Sequence, residues 1–308
     1  MSHPFSPFVA RRGAAVLDGG LATELERQGL DLADPLWSAR ALLDRPEMVA
    51  RVHHDYLAAG ADVITTVTYQ ATVPGLRARG LTQEGAEDLL RAGVAIACKA
   101  RDKFASTLPD DRERPLVAAS IGSYGAFLAN GAEYRGGYGL SVDALAVWHR
   151  PRARVLEASG ADLLAFETIP AREEVEAIVR VLGESDGTPA WISFSAKDDG
   201  TIADGTPIQE AASIAAESLR VVAIGVNCVA PELVSPLLRE AHRAVELPLV
   251  AYPNRGDVWD SVARGWIERG TTADYGALAV EWRELGARLI GGCCGTTPRD
   301  IRAIAEAL

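Results

Sequence analysis

Residues 46–69 read PEMVARVHHDYLAAGADVITTVTY, and two structural periods meet in them. Over the first fourteen residues Val49, Val52, His53, Tyr56 and Leu57 recur at i, i+3, i+4, i+7 and i+8, the stripe of a helix lying on a sheet. Gly60 breaks that period as a left-handed glycine does at a helix end, and residues 63–69 then form a short β-rich run. The same junction, a glycine and an alanine ahead of a charged residue and an apolar run, returns at Gly160-Ala161-Asp162 and Gly286-Ala287-Arg288. The chain is therefore a repeat of one helix–glycine–strand unit.

Working outward, β-rich runs occur at residues 15–17, 63–69, 116–121, 163–168, 190–195, 221–227, 249–252 and 288–290, with helical stretches between them. Strands alternating with helices imply a parallel sheet with right-handed crossovers. Eight units in 308 residues give about 38 residues each, close to a closed barrel. We expect an α/β fold, a single (β/α)8 TIM-type barrel, with residues 1–308 forming one domain. The alternative, an open doubly wound sheet, calls for a glycine-rich phosphate loop after the first strand. Asp18-Gly19-Gly20 follows that strand, but neither a GxGxxG nor a Walker A spacing is present.

Composition narrows the function. Acidic residues outnumber basic ones by 42 to 31, a net charge of −11, which opposes a nucleic-acid partner. The amino terminus lacks the order of a signal peptide, and the longest uncharged stretch, residues 116–132, is too polar to span a membrane. A cytoplasmic enzyme acting on small molecules is the expectation. Four cysteines, two of them adjacent, do not make a disulfide framework for a chain of this length.

In a barrel the active site forms at the C-terminal ends of the strands, so the residues there are the candidates. In order they are Asp18; Thr68 and Gln70; Ser123 and Tyr124; Glu167 and Thr168; Ser193 and Ser195; Asn227 and Cys228; Asn254; and Cys293 with Cys294. Three of the four cysteines thus fall in the active-site layer. A lone buried cysteine is ordinarily a small hydrophobe, as Cys98 in its helical stretch is expected to be. Three thiolates converging at one mouth instead suit a tetrahedral Zn²⁺ that keeps a fourth position open, which is a catalytic arrangement. Flanking Gly291, Gly292 and Gly295 would give the adjacent pair the freedom to turn. The same glycines also fit a phosphate loop after strand eight.

Taken together, Leu17-Asp18-Gly19-Gly20, Tyr69-Gln70-Ala71-Thr72, Glu167-Thr168, Gly225-Val226-Asn227-Cys228 and Gly291-Gly292-Cys293-Cys294-Gly295 resemble the homocysteine S-methyltransferase family over nearly the whole chain. The segments Ala132-Glu133-Tyr134-Arg135-Gly136, His149-Arg150-Pro151-Arg152, Asp204-Gly205-Thr206-Pro207 and Tyr252-Pro253-Asn254 resemble its S-methylmethionine or S-adenosylmethionine branch. The resemblance implies that Cys228, Cys293 and Cys294 bind zinc, that homocysteine sulfur takes the open position, and that a sulfonium donor supplies the methyl group in methionine biosynthesis. No general acid is then required, because the leaving group is a neutral thioether. Glu167 is the candidate for the homocysteine ammonium, and the turn amides from Asp18 to Gly19 and Gly20 for its carboxylate. Asp18 and Asn227 are expected to be positioning groups rather than proton carriers, and Thr68, Gln70 and Ser193 to line the pocket. Tyr124, Phe127, Tyr134 and Tyr138, within the long loop of residues 124–140, are candidates for cation–π contact with the donor. His149 is expected to be a structural, hydrogen-bonded histidine.

For the donor, S-methylmethionine ranks ahead of S-adenosylmethionine, and betaine comes third because the chain ends at Leu308, soon after the cysteine pair. Two other readings are a Schiff-base lyase using Lys197 and a zinc-binding scaffold without catalysis. Oligomeric state is not legible.

Overall fold

The computed structural model describes residues 3–31, 40–109, 112–256, 258–260, 265–267 and 273–308. Its eight barrel strands are β1 (Ala15–Val16), β2 (Val63–Thr65), β3 (Leu116–Gly122), β4 (Leu163–Ile169), β5 (Ala190–Phe194), β6 (Val221–Asn227), β7 (Leu249–Tyr252) and β8 (Ala287–Ile290). Each is followed by a helix: α1 (Pro46–Ala59), α2 (Gln83–Ala105), α3 (Val142–Glu157), α4 (Arg172–Leu182), α5 (Ile208–Ala215), α6 (Pro231–Ala244), α7 (Tyr275–Glu284) and α8 (Pro298–Ala307). All neighbouring strands pair in parallel in the order β1-β8-β7-β6-β5-β4-β3-β2. A parallel bridge between Leu17 and Val63 joins the two ends of that series, so the chain is a (β/α)8 barrel.

Local chemistry explains the units. Pro46 opens α1 at a position where its missing N–H is not needed, and Gly60 closes it at φ +108°. All five stripe residues of α1 are buried. Gly160 and Gly286 take φ +86° and +102° at the other two junctions. The aspartates that follow act alike. Asp62 accepts the Val16 amide at 2.8 Å and pairs with Arg12, while Asp162 accepts the Val117 amide at 2.8 Å and pairs with Arg101 at 2.7 Å. Each carboxylate therefore ties the base of its own strand to the neighbouring strand.

Side chains alternate across the barrel wall with the strand period of two. Ala15, Leu17, Val63, Ala118, Leu163, Ala165, Trp191, Ala223, Val250, Tyr252 and Leu289 fill the interior, capped from the N-terminal end by Phe5 and Phe8 beside the helix Ser6–Arg12. Val16, Ile64, Val117, Leu164, Ile192, Ile224, Ala251 and Ile290 face the helices. Continuing the alternation brings Ser120, Glu167, Ser193 and Asn227 inward near the C-terminal end.

Two details depart from expectation. β2 ends at Thr65, with Thr66 to Tyr69 turning away from the strand, and the β7–α7 connection carries an antiparallel hairpin of Val258–Asp260 with Gly265–Ile267. No helix among the described residues is long and apolar enough to cross a membrane.

Candidate metal centre and substrate pocket

Cys228 leaves β6 in a left-handed conformation, φ +52°, its amide donating to Tyr252 O at 3.1 Å and its carbonyl accepting Asn254 Nδ2 at 3.1 Å. Cys293 donates its amide to Pro253 O at 2.8 Å, and its carbonyl receives the Thr296 amide and hydroxyl. These anchors bring the Sγ atoms of Cys228, Cys293 and Cys294 within 4.8 Å of one another. The Cys293 and Cys294 sulfurs are 4.0 Å apart. A tetrahedral ion with bonds to sulfur near 2.3 Å separates its sulfurs by about 3.8 Å, so the donor set and its spacing fit such an ion. Left to themselves the three thiols share one charge: hydrogen bonds from Cys293 and Cys294 hold Cys228 well below the usual thiol range, and that interaction raises both donors.

The glycines around the pair act differently from the expectation of a freely turning loop. A Cβ on Gly291 would lie 2.6 Å from Leu17 Cβ, and one on Gly292 would lie 2.3 Å from Thr296 Oγ1. Both positions are therefore small because β1 and Thr296 pack directly on them. Only Gly295, at φ +81°, uses the left-handed freedom of glycine.

A polar tier lies in the same end of the barrel. Glu167 accepts the Ser120 hydroxyl and that of Tyr252, and burial pushes its carboxyl up to about 7 against those two bonds. Tyr252 in turn accepts Trp191 Nε1 at 3.0 Å and lies 2.5 Å from Ser193 Oγ. Ser193 also donates to Asn227 Oδ1 at 2.8 Å. Asn227 accepts the Thr168 amide and donates to Thr168 Oγ1, both at 2.7 Å, which holds Thr168 at φ +58°. Asp18 receives the Thr65 amide at 2.7 Å and the Thr65 hydroxyl at 3.1 Å, yet burial drives its carboxyl up to about 8. The amides of Asp18 and Gly20 are committed to Val63 O and Thr296 Oγ1, whereas that of Gly19 has no acceptor among the described residues.

Other expected residues serve the scaffold. Thr68 turns out of the pocket: its methyl lies against Gly93 of α2, and its hydroxyl donates to Ser120 O at 2.7 Å. Gln70 donates to Ala126 O at 3.2 Å, which ties the β2 loop to the β3 loop. The aromatic residues separate into two groups. Tyr124, Phe127 and Tyr138 pack with Trp148, whereas Tyr134 reaches the sulfurs, its hydroxyl 3.2 Å from Cys228 Sγ. His149 is buried with Nε2 donating to Glu174 Oε1 at 2.8 Å, a bond that also fits its structural reading. Glu174 further accepts the Tyr124 amide at 2.5 Å and the Tyr138 hydroxyl at 3.0 Å, fixing the β3 loop. Cys98 is only partly buried, on α2. Lys197 is exposed on the turn held by Asp198, far from the desolvated setting a Schiff base needs.

A profile of the homocysteine S-methyltransferase family matches residues 15–308. The chain belongs to that family. The homocysteine S-methyltransferase YbgG of Bacillus subtilis is 48% identical over 94% of this chain and 93% of its own length. A selenocysteine Se-methyltransferase of Brassica oleracea var. italica is 45% identical over 96% of this chain and 89% of its own. The crystal structure of the metallated homocysteine methyltransferase MmuM of Escherichia coli superposes with a TM-score of 0.90 at 40% identity, covering 99% of this chain and 100% of that one. Seen as a homocysteine S-methyltransferase-family barrel, the chain has a sulfur cluster at the mouth with two buried carboxyls, Asp18 and Glu167, on the inner wall.

Proposed function

We propose that this homocysteine S-methyltransferase family member transfers a methyl group from a sulfonium donor to the thiolate of L-homocysteine, giving methionine, with zinc held by Cys228, Cys293 and Cys294. The convergence of those three sulfurs at the catalytic end of the barrel carries the reading. When bound there, zinc supplies a positive centre that lets a fourth thiol exist as thiolate at neutral pH.

The rest is done by substrate and chain. The homocysteine sulfur forms a bond to the methyl carbon while the carbon–sulfur bond of the donor breaks, both electrons passing to the donor sulfur. The donor departs as a neutral thioether, and the thiol proton of homocysteine is released to solvent. Glu167 accepts the ammonium of homocysteine from within the barrel, aligned by Ser120 and Tyr252. Asp18, neutral below about pH 8, donates its carboxyl proton to the substrate carboxylate alongside the Gly19 amide. Ser193 and Asn227 position Tyr252 and the β4 end. Holding both reactants in line supplies much of the acceleration.

S-methylmethionine is the first choice of donor, S-adenosylmethionine the second and betaine the third. Methionine formation from homocysteine with each donor, side by side, tests that order. Replacing Cys228, Cys293 or Cys294 by alanine is expected to remove zinc, read by metal analysis, and at least 100-fold of activity, with the circular-dichroism spectrum unchanged. Methyl transfer retained by any of the three would refute the ligand set.

A further inference from the structure

Glu133 belongs to the short 3₁₀ turn Ala132–Tyr134 in the β3 loop, and the neighbouring Tyr134 hydroxyl touches Cys228 Sγ at 3.2 Å. Its side chain is buried, 8% exposed, and its Oε2 has no hydrogen-bond partner among the described residues. Leaving a buried carboxylate oxygen unpaired costs about 1–3 kcal/mol or more, so such an atom is open to a partner that a bound ligand can supply.

The surrounding structure fixes this residue firmly. Ser195 Oγ donates to the Glu133 carbonyl at 2.5 Å, and a Cβ on Gly125 would lie 2.5 Å from the Glu133 amide nitrogen. The turn therefore packs on a position that only glycine can occupy, and the carboxylate is held rather than swinging to solvent. Burial is the dominant influence on this carboxyl and lifts it to about 7. An arriving cation would relieve the desolvation of its ionised form.

We infer that Glu133 is the anionic partner of the sulfonium ion of the methyl donor, and that it sets the preference of the site for a cationic donor. The assignment rests on the methyl-transfer reading above and assigns the donor side of the site, distinct from the homocysteine side at Glu167. Its kinetic signature follows from charge. The sulfonium charge is quenched as the methyl group leaves, so a carboxylate beside it stabilises bound donor more than the transition state. Its removal should raise the KM for donor without a matching fall in kcat.

The test compares zinc-loaded wild type with Glu133→Gln and Glu133→Asp. Donor affinity is measured by titration calorimetry with S-methylmethionine and with 3-(dimethylsulfonio)propionate, a sulfonium that has no ammonium group. Initial rates are measured with donor and homocysteine varied separately. Glu133→Gln should weaken both sulfonium ligands 10- to 100-fold and raise the donor KM by the same factor, leaving the homocysteine KM within twofold. Glu133→Asp, which keeps the charge, should recover part of the loss, a recovery that mere packing would not give. If Glu133→Gln fails to fold, Glu133→Asp must still bind donor measurably more weakly than wild type. Unchanged donor affinity in the folded variants overturns the inference, and loss of S-methylmethionine binding alone overturns the sulfonium assignment in favour of an ammonium contact. A wild type that binds sulfonium ligands but makes no methionine overturns the methyl-transfer reading while leaving the Glu133 measurement intact.

Discussion

Thr168, one residue before the end of β4, and Cys228, the first residue beyond β6, take the left-handed region at φ +58° and +52°, a conformation costly for any residue but glycine and most of all for a β-branched one. Asn227 grips Thr168 by amide and hydroxyl, and Tyr252 and Asn254 grip the Cys228 backbone, so the strain is held by residues of the same tier. The tier also sets the protonation of Glu167. Burial raises its carboxyl to about 7, and the ionised form is the one that receives an ammonium. We expect kcat/KM for homocysteine to climb as pH rises through about 7, and Glu167→Gln to flatten that limb and lower kcat/KM by about 10- to 100-fold; a variant whose pH profile matches wild type would remove Glu167 from the ammonium site. The positions of Asp18, Glu167 and the three cysteines at one end of the barrel are legible because a polar or thiol residue at the end of an apolar run has few structural uses. Thr68 faces away from the pocket because β2 stops four residues earlier than its β-rich run, which turns the side chain outward. Tyr252 and Ser120 were missed because in sequence a tyrosine or serine inside a strand looks like filling, and only the alternation across the barrel wall reveals that both reach Glu167.

Strands and helices were more legible than side-chain roles, and for an identifiable reason. Where both ends carry a strong stop, as in α1 between Pro46 and Gly60, the expected and observed bounds coincide. The same holds for β6 and β7. Where the end is set by a tertiary contact the bounds slip: the Ser120 amide donates to the Thr66 hydroxyl at 3.0 Å, not to a backbone carbonyl, and the β2–β3 ladder stops there. The hairpin in the β7–α7 connection escaped because its two strands are three residues each, too short for a period to register. At the other end of the strands, Asp62 links three elements, receiving Val16 of β1 while pairing with Arg12 of the first helix from the base of β2. This is the seam at which the barrel closes. Asp62→Ala leaves the half-buried Arg12 guanidinium without its carboxylate and a strand amide without its acceptor, and we expect a loss of about 2–4 kcal/mol in denaturant unfolding with zinc binding retained. A loss below about 0.5 kcal/mol would show the seam to be held by apolar packing alone.

For the molecule as a whole, three of the buried carboxyls, those whose protons are held more tightly, predict an unusual response to pH. Asp18 is raised to about 8, and Glu133 and Glu167 to about 7. Between about pH 4 and those values the folded chain keeps protons that the unfolded chain has released, so stability is greater toward the acid side and declines as pH rises. Calorimetry of the ligand-free protein should therefore show Tm falling from about pH 6.5, above which the buried His53 and His149 no longer oppose the trend, to about pH 8.5, and a cation bound at Glu133 or Glu167 should reverse part of the fall. A Tm that rises over this range would contradict the assigned burial. The interior cap formed by Phe5 and Phe8 has a consequence of another kind. With the floor closed, the pocket is a cul-de-sac and its two guests must queue through one door. With homocysteine on the inner wall at Glu167 and the donor at Glu133 in the loop above, as proposed, homocysteine has to enter first. Initial-rate and product-inhibition patterns should accordingly show a compulsory order with homocysteine first, and when S-methylmethionine is the donor, both molecules waiting to leave are methionine, so the product blocks the exit at two depths.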